Sequence, residues 1–361
     1  MKLLLCTLEY PPQIGGVANY YSELIKAWPE AESWTVLDNS KGLLLSKSKF
    51  LPWLSSISSL IKEYRRQNYD LVFIGQVLPL GTSALIAKLF IGLNYGLFFH
   101  GMDFSFALKS RRKRWLLRLI LKRSKVIVCA NSYVKKLLIE FLPSVENKTK
   151  LLNPGVKKGL VNENIRKAFV NKYDLIGKKV IFSLGRLVKR KGFDQTIKAL
   201  GNISDDNWIY ILAGSGPEFK ALKILALSGK VSDKIIFTGR LSEEEKWSCL
   251  SLCDIFITTS RDLSGDFEGF GIVYLEAALM SKPVIAGLSG GVTDAVVNNE
   301  SGLLVDAEDV SVIGQALTSL LNDKELSSRL GEYAYQRANT KFNWTKQAED
   351  LFKYLKESNL F

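Results

Sequence analysis

Histidine occurs once and cysteine four times in this chain of 361 residues, so the side chains that usually build metal sites are nearly missing. Cys6, Cys129, Cys249 and Cys253 form no Cys-x-x-Cys pair, and the lone His100 cannot complete a zinc set. Structural thiols in a reducing cytoplasm are the reading that remains. Long apolar runs are also lacking. Met1 to Cys6 is followed at once by Glu9, Tyr10, Pro11 and Pro12, without the apolar region and small-residue cleavage site of a signal peptide. Ala84 to Phe99 is broken by Lys88, Asn94 and two glycines, so it reads as a helix followed by a strand, not as a membrane span. Solenoid-period repeats and low-complexity tracts are absent as well.

The chain is longer than one ordinary core supports, which points to two domains, and two Rossmann-like halves would fit. At 47% hydrophobic and 24% charged residues it has the composition of a globular protein. The formal net charge of +13 favours anionic partners such as nucleotide diphosphates, acidic lipid head groups or nucleic acid.

Short apolar runs that end in Gly, Asn or Ser and give way to helical periodicity recur throughout, as in parallel βαβ units. The expected strands of the first half are Lys2–Leu8, Leu71–Ile74, Tyr95–Phe99 and Val126–Cys129. Those of the second are Val180–Leu184, Trp208–Ala213, Ile235–Thr238, Ile255–Thr258, Pro283–Ala286 and Gly302–Val305. The polar, lysine-rich 157–178 segment follows the turn Asn153-Pro154-Gly155 and reads as the connection. The expected division is therefore residues 1–156, a linker at 157–178, a second domain at 179–342, and a final helix at 343–361 that packs back toward the first domain. That helix carries Trp344, Ala348, Leu351, Phe352 and Leu355 at helical spacing.

In open parallel sheets, ligands bind beyond the carboxyl ends of the strands, and several loops there look specialised. Gly15-Gly16 precedes a helix and can bring backbone N–H groups close to an anion, although an unliganded tight turn has the same look. Gly185-Arg186-Leu187-Val188-Lys189-Arg190-Lys191-Gly192 offers Arg186 as a planar fork and Lys191 as a point charge for phosphate oxygens, or else a solvated basic loop. In Glu268-Gly269-Phe270-Gly271-Ile272-Val273-Tyr274-Leu275-Glu276 the glycines free the backbone at a helix start. Glu276 is expected about two turns beyond Glu268 on the same face, so that one carboxylate can grip sugar hydroxyls and the other a ribose diol. Two glutamates at this spacing are common by chance, and the intervening Gly-Phe-Gly is what singles them out.

With these motifs the chain resembles glycosyltransferase family 4 over nearly its whole length, Glu268 to Glu276 standing as the family's E-x7-E. Pro12-x-x-Gly15-Gly16 is similar to its N-terminal glycine loop, Gly185-Arg186…Lys191-Gly192 to its diphosphate clamp, and His100-Gly101-Met102-Asp103 to its His-Gly-x-Asp. Asn153-Pro154-Gly155-Val156, Gly239-Arg240-Leu241 and Ser289-Gly290-Gly291 also have counterparts there. Val292-Thr293-Asp294 departs from the family's frequent Gly-x-Pro-Glu. The resemblance implies a GT-B fold, with two Rossmann-like domains facing a central cleft, and a retaining, metal-independent transfer from a UDP- or GDP-sugar. It further implies that Glu268 and the amides of Phe270 to Val273 bind the donor sugar and diphosphate, Glu276 the ribose, and Arg186 and Lys191 the phosphates. Arg240 and Leu241 would flank the base and His100 would touch the sugar. No Asp-x-Asp pair, which metal-dependent nucleotide-sugar enzymes usually need, occurs in the sequence, and no cofactor or metal is expected.

Lys109 to Lys125 carries many cations and no acid. At helical spacing Arg111, Arg114, Arg118, Lys122 and Lys125 make one stripe, and Trp115, Leu116, Leu119 and Ile120 another. Such a helix can lie on an anionic leaflet, or can be half-buried with a solvated basic face. With Asp103 it marks the expected acceptor side. The expected acceptor is a lipid or membrane glycan, and the expected location is cytoplasmic, on the inner face of the membrane. Two competing readings are a GT-B-like sugar-nucleotide epimerase, for which one histidine leaves few acid–base groups, and a nucleic-acid-binding protein, for which no accompanying motif is found.

Overall fold

The computed structural model describes residues 1–13, 15–30, 33–46, 51–204 and 207–358, in two compact units. One unit comprises Met1–Gly155 and Trp344–Phe361, the other Val156–Asn343. In the first unit, strands β1 (Leu3–Cys6), β2 (Trp34–Leu37), β3 (Leu71–Ile74), β4 (Tyr95–Phe99), β5 (Val126–Cys129) and β6 (Thr149–Leu151) alternate with helices. These are α1 (Gly16–Lys26), α2 (Leu54–Gln67), α3 (Leu80–Ile91), α4 (Met102–Ala107), α5 (Arg111–Arg123) and α6 (Ser132–Phe141). In the second unit the strands are β7 (Lys179–Leu184), β8 (Trp208–Ala213), β9 (Ile235–Gly239), β10 (Ile255–Thr258), β11 (Val284–Gly287) and β12 (Leu303–Val305). Its helices are α7 (Glu163–Lys172), α8 (Phe193–Leu200), α9 (Phe219–Ser228), α10 (Glu243–Leu252), α11 (Ile272–Ala278), α12 (Val292–Ala295), α13 (Val310–Asn322) and α14 (Lys324–Lys341). The last helix, α15 (Trp344–Glu357), belongs to the first unit.

Both sheets are six-stranded and parallel, in the orders β2-β1-β3-β4-β5-β6 and β12-β11-β10-β7-β8-β9. The central strands are buried on both faces, which is why they read as continuous apolar runs such as Leu71-Val72-Phe73-Ile74. Strand order reverses between β1 and β3 in the first sheet and between β7 and β10 in the second. Those are the two points where loops diverge and leave a crevice for a ligand.

In its elements and their packing, the structure departs from the sequence-based expectations at the edge strands, at segment 157–178 and on α5. Strands β2 and β6 appear where none was expected; both are short edge strands, and the one-sided packing of an edge leaves no long apolar run. Segment 157–178 is not a free connection. Asn162 caps α7 by accepting from the Asn164 and Ile165 amides, α7 packs on α10, and Phe169, Val170 and Tyr173 join the core of the second unit. On α5 the inward stripe is Leu117, Ile120 and Leu121, whereas Trp115 points to solvent among the cations.

Helix α15 lays Trp344, Ala348, Leu351 and Leu355 into the apolar cluster that also holds Tyr20, Leu24 and Trp28 of the first unit. Ring edges interlock there, Trp344 against Tyr20 at 5.3 Å and Phe352 against Trp28 at 5.6 Å. Leu351 is fully enclosed, so Leu351→Ala should lower the stability of the first unit by about 2–5 kcal/mol, read as a fall in denaturant midpoint without a change in slope.

Candidate functional site

The reversal in the second sheet brings the loop after β7 beside the loop after β10, and the sharpest electrostatic feature of the molecule sits where they meet. Glu268 is buried, and its Oε2 accepts from Lys191 Nζ at 2.6 Å, from Arg190 Nη1 at 2.6 Å and from Ser260 Oγ at 3.2 Å. Burial pushes this carboxyl up, but the Lys191 and Arg190 cations outweigh it and hold the group at about 2. Arg190 also lies 3.0 Å from Asp266 through Nε. The backbone around Glu268 is fixed too: its N–H donates to Ser289 Oγ at 3.2 Å, and its carbonyl accepts from Gly291 N at 3.0 Å. Gly290 has φ +52°, and a Cβ there would stand 2.3 Å from that carbonyl, so the Ser289-Gly290-Gly291 turn is shaped to seat Glu268.

On the other side of the crevice Gly192 is left-handed (φ +66°), and a Cβ would meet the Thr259 carbonyl at 1.9 Å. The glycine thus lets the β7 loop close onto the β10 loop. Arg261, in the β10 loop, donates to the Lys189 carbonyl of the β7 loop and also pairs with Asp194 on α8 and Glu308 after β12.

The two glutamates of the motif do not share a helix face. Glu268 lies in the loop and helix α11 begins only at Ile272, because left-handed Gly271 breaks the backbone between them. Glu276, on the helix, pairs with Lys246 of α10 at 2.6 Å. Gly269 is partly open, Phe270 is buried against Phe342, and Ile272 and Val273 are half-buried at the helix start. Arg186 is exposed and makes no ion pair with any described residue, while Arg240 donates through Nε to Ser215 Oγ at 2.6 Å and Leu241 packs partly into the core. Of the expected donor residues, the fold therefore gathers Lys191 and Glu268 in one contact and leaves Arg186, Arg240 and Glu276 on neighbouring loops and a helix. Arg190, Asp266, Ser260 and Lys246 were not singled out from the sequence. Their only signal is position beside a motif residue or, for Lys246, in a helix that carries no motif.

In the first unit His100 follows β4. Its Nε2 is 2.8 Å from Tyr21 Oη, whose single proton goes to the Gly75 carbonyl at 2.8 Å, so His100 donates and keeps Nδ1 as an acceptor. Burial lowers its pKa to about 4, leaving a neutral imidazole at ordinary pH. Asp103 Oδ1 accepts from the Gly101 and Phe104 amides, each at 3.0 Å, while its enclosed Oδ2 has no partner among the described residues. Burial raises this carboxyl to about 6 in spite of the backbone donors. At the other reversal, Thr7 and Gln76 exchange hydrogen bonds and burial raises Glu9. Glu9 lies near Gly15, the uncapped residue before α1, while a Cβ on Gly16 would meet open space.

Arg111, Arg114, Arg118 and Lys122 are all exposed on α5, with Trp115 63% exposed between them. Beside that helix stand Met102 at 60% and Phe106 at 46% exposure, with Lys113 Nζ 3.5 Å above the Phe106 ring. No helix among the described residues is long and apolar enough to cross a membrane.

Two parallel, Rossmann-type sheets with polar crevices at their carboxyl ends are the architecture of the GT-B glycosyltransferases. The Anabaena protein HepE, solved in complex with UDP, has this fold, with a TM-score of 0.84 at 18% identity over 99% of this chain and 100% of that one. A family model described as glycosyl transferases group 1 matches residues 166–337, and one described as Glycosyltransferase Family 4 matches residues 14–158. The chain is 26% identical to a GDP-mannose-dependent alpha-(1-6)-phosphatidylinositol monomannoside mannosyltransferase of Mycobacterium tuberculosis, over 98% of each chain. It is 28% identical to the corresponding monoacylated-substrate enzyme of Corynebacterium glutamicum, over 98% of this chain and 97% of that one. The chain belongs to glycosyltransferase family 4 and is a glycosyltransferase.

Asp103 gives a prediction whose sign is set by its raised pKa. Ionising it costs the folded state above about pH 6, and that cost vanishes below the unfolded-state value of about 3.9. Asp103→Asn, which keeps the Oδ1 acceptor, should therefore be more stable than wild type by roughly 1–3 kcal/mol at pH 8 and no more stable at pH 3.5. Urea titrations at the two pH values check this; a difference that does not change with pH would refute it.

Proposed function

We propose that this glycosyltransferase moves a hexose-type sugar from a UDP- or GDP-sugar to a lipid-linked or membrane glycan acceptor in cell-envelope or polysaccharide synthesis. Configuration is retained and no metal is required. The observation that carries the reading is Glu268, held ionised by Lys191 and Arg190 where the second sheet reverses. The full-length similarity to lipid mannosyltransferases supports it and places GDP-mannose first among donors to try.

In this reading an entering donor trades places with part of the ion cluster. Glu268 takes sugar hydroxyls, and Lys191, still at the crevice, turns to the diphosphate with exposed Arg186 and the amides of Phe270 to Val273. As the sugar–phosphate bond breaks, negative charge grows on the leaving diphosphate, and these cations stabilise it more than they stabilise the ground state. The sugar gains oxocarbenium character, and the acceptor hydroxyl attacks on the face the diphosphate leaves, its proton passing to the departing diphosphate oxygen. Glu276 holds the ribose, and Arg240 and Leu241 flank the base. Gly15 and Gly16 present backbone to the donor from the first unit. Neutral His100 contacts the sugar as a hydrogen-bonding group, and Asp103, with one oxygen that has no partner among the described residues, faces the acceptor. Arg111, Arg114, Arg118 and Lys122 meet anionic lipid, each worth about 1 kcal/mol near the surface, while Trp115 enters the head-group layer.

Thermal unfolding with GDP-mannose, UDP-glucose and ADP-glucose tests the donor half. At least one should protect; Glu276→Ala should weaken that protection, and Lys191→Ala should lower kcat by about 10²–10³. Protection by none of the nucleotides, or wild-type rates in both variants, refutes the assigned roles.

Flotation tests the acceptor side. The chain should rise with anionic phosphatidylglycerol vesicles and not with neutral phosphatidylcholine ones, and Arg114→Glu/Arg118→Glu should remove most of that binding. Equal, negligible binding to both vesicle types refutes the membrane contact.

A further inference from the structure

Helix α10 places a lysine against the second glutamate of the motif, and nothing in the motif itself calls for it. Lys246 Nζ lies 2.6 Å from Glu276 Oε1 on its inner side and 2.8 Å from Glu243 Oε2 on its outer side. The inner pair is closed in, each side chain being 13% exposed, whereas Glu243 is 80% exposed. Glu276 Oε2 takes no hydrogen bond from any described residue and is not enclosed.

The platform under Lys246 is rigid. Ser242 and Glu245 form a reciprocal capping box, with the Glu245 amide donating to Ser242 Oγ at 3.2 Å and the Ser242 amide to Glu245 Oε2 at 2.7 Å. The next residue, Trp247, is buried so tightly against Gly159 that a Cβ on that glycine would stand 2.0 Å from the indole. The backbone that carries the lysine is thus pinned on both sides, and its ammonium bridges Glu276 and Glu243.

We propose that Lys246 is a positioning residue for ribose recognition: its ammonium occupies Oε1 of Glu276, fixes the carboxylate, and leaves Oε2 open to a ribose hydroxyl. The inference rests on the reading that Glu276 holds the ribose. Physically, a mostly buried carboxylate without a cation is driven toward its neutral form, which offers a ribose hydroxyl only a weaker, uncharged acceptor. Burial does push Glu276 up, Lys246 opposes this, and Glu243 adds to it; Lys246 itself stays protonated because Glu276 and Glu243 outweigh its own burial. A hydrogen bond to an ionised acceptor is about twice as strong as a neutral one, so losing it should be visible as selectivity for the ribose hydroxyls.

Calorimetry on the full chain with GDP, UDP and their 2′-deoxy and 3′-deoxy forms tests this. Wild type should prefer the better ribonucleotide by about tenfold over at least one of its deoxy forms. Lys246→Met should lose that preference by weakening the ribonucleotide, with the deoxy forms bound within about twofold of wild type and donor KM rising more than kcat falls; Lys246→Arg should restore it. If Lys246→Met does not fold, Lys246→Met/Glu276→Gln removes the stranded charge and should bind like Glu276→Gln alone. Discrimination retained in Lys246→Met but lost in Glu276→Gln overturns the role of Lys246 and leaves the ribose assignment standing. Discrimination retained in Glu276→Gln overturns both. A double variant that binds more weakly than Glu276→Gln also overturns the proposal, because Lys246 would then act on the nucleotide without Glu276.

Discussion

The buried carboxylate of Glu268 organises the second unit. Removing one carboxylate and two cations from water carries a desolvation cost of several kcal/mol per ion, which only short contacts and added hydrogen bonds can offset. Both conditions are met: two cations at 2.6 Å, a serine hydroxyl, and a backbone held at both the amide and the carbonyl. The contacts come from different loops, so satisfying one side chain draws the segment after β7, the segment after β10 and the Ser289-Gly290-Gly291 turn into one body. Arg261 repeats the device at the rim, where its partners Asp194 and Glu308 are more exposed. The loops around Glu268 are thereby held in one arrangement, with Lys191 and Arg190 both turned to its carboxylate.

The motif's second glutamate obeys the opposite balance. Glu268 has two cations and is held far below the ordinary carboxylate range; Glu276 has one, shared with Glu243, and burial prevails. The difference follows from where each sits. A loop residue can be approached from several strands' ends at once, whereas a residue on α11 sees only what the adjacent helix presents. Seven residues of spacing thus join two carboxylates in different settings, one paired with two cations and one with a single cation that it shares with Glu243.

Much of this was legible beforehand because motif glycines report backbone demands directly. The tight approach at Gly192 and the left-handed turns at Gly271 and Gly290 are each required by a neighbouring carbonyl or ring, and such requirements leave marks in the sequence. Central strands were legible because burial on both faces makes them uniformly apolar. What escaped were short edges, β2 and β6, and the side chains whose role is to pair with a motif residue. Arg190 adjoins Lys191 in a run of cations, and sequence spacing cannot say which of them turns inward. Lys246 is more remote still, since only the packing of α10 on its neighbours brings it to Glu276. The 157–178 segment misled for a related reason: its polarity is that of a surface helix, and the few apolar residues that fasten it to the core are too widely spaced to stand out.

The first unit uses a different economy of charge. Its His100 is neutral and its Asp103 is reluctant to ionise, both through burial, so the groups at this sheet's carboxyl end are hydrogen-bonding partners more than fixed charges. The cations of α5 lie at the surface beside Trp115, with Lys113 over the Phe106 ring and Arg118 over the Phe141 ring. That separation is physically consistent with a division of labour between the units. A sugar hydroxyl is best recognised by neutral or weakly charged groups in a dry setting, a diphosphate by paired cations in a crevice, and an anionic surface by cations that never leave water. The net positive charge that first pointed to anionic partners includes, among others, two populations with different degrees of burial. Lys191 and Arg190 are enclosed and directional, while the α5 cations are open and additive. Salt should therefore screen the second population strongly and the first hardly at all.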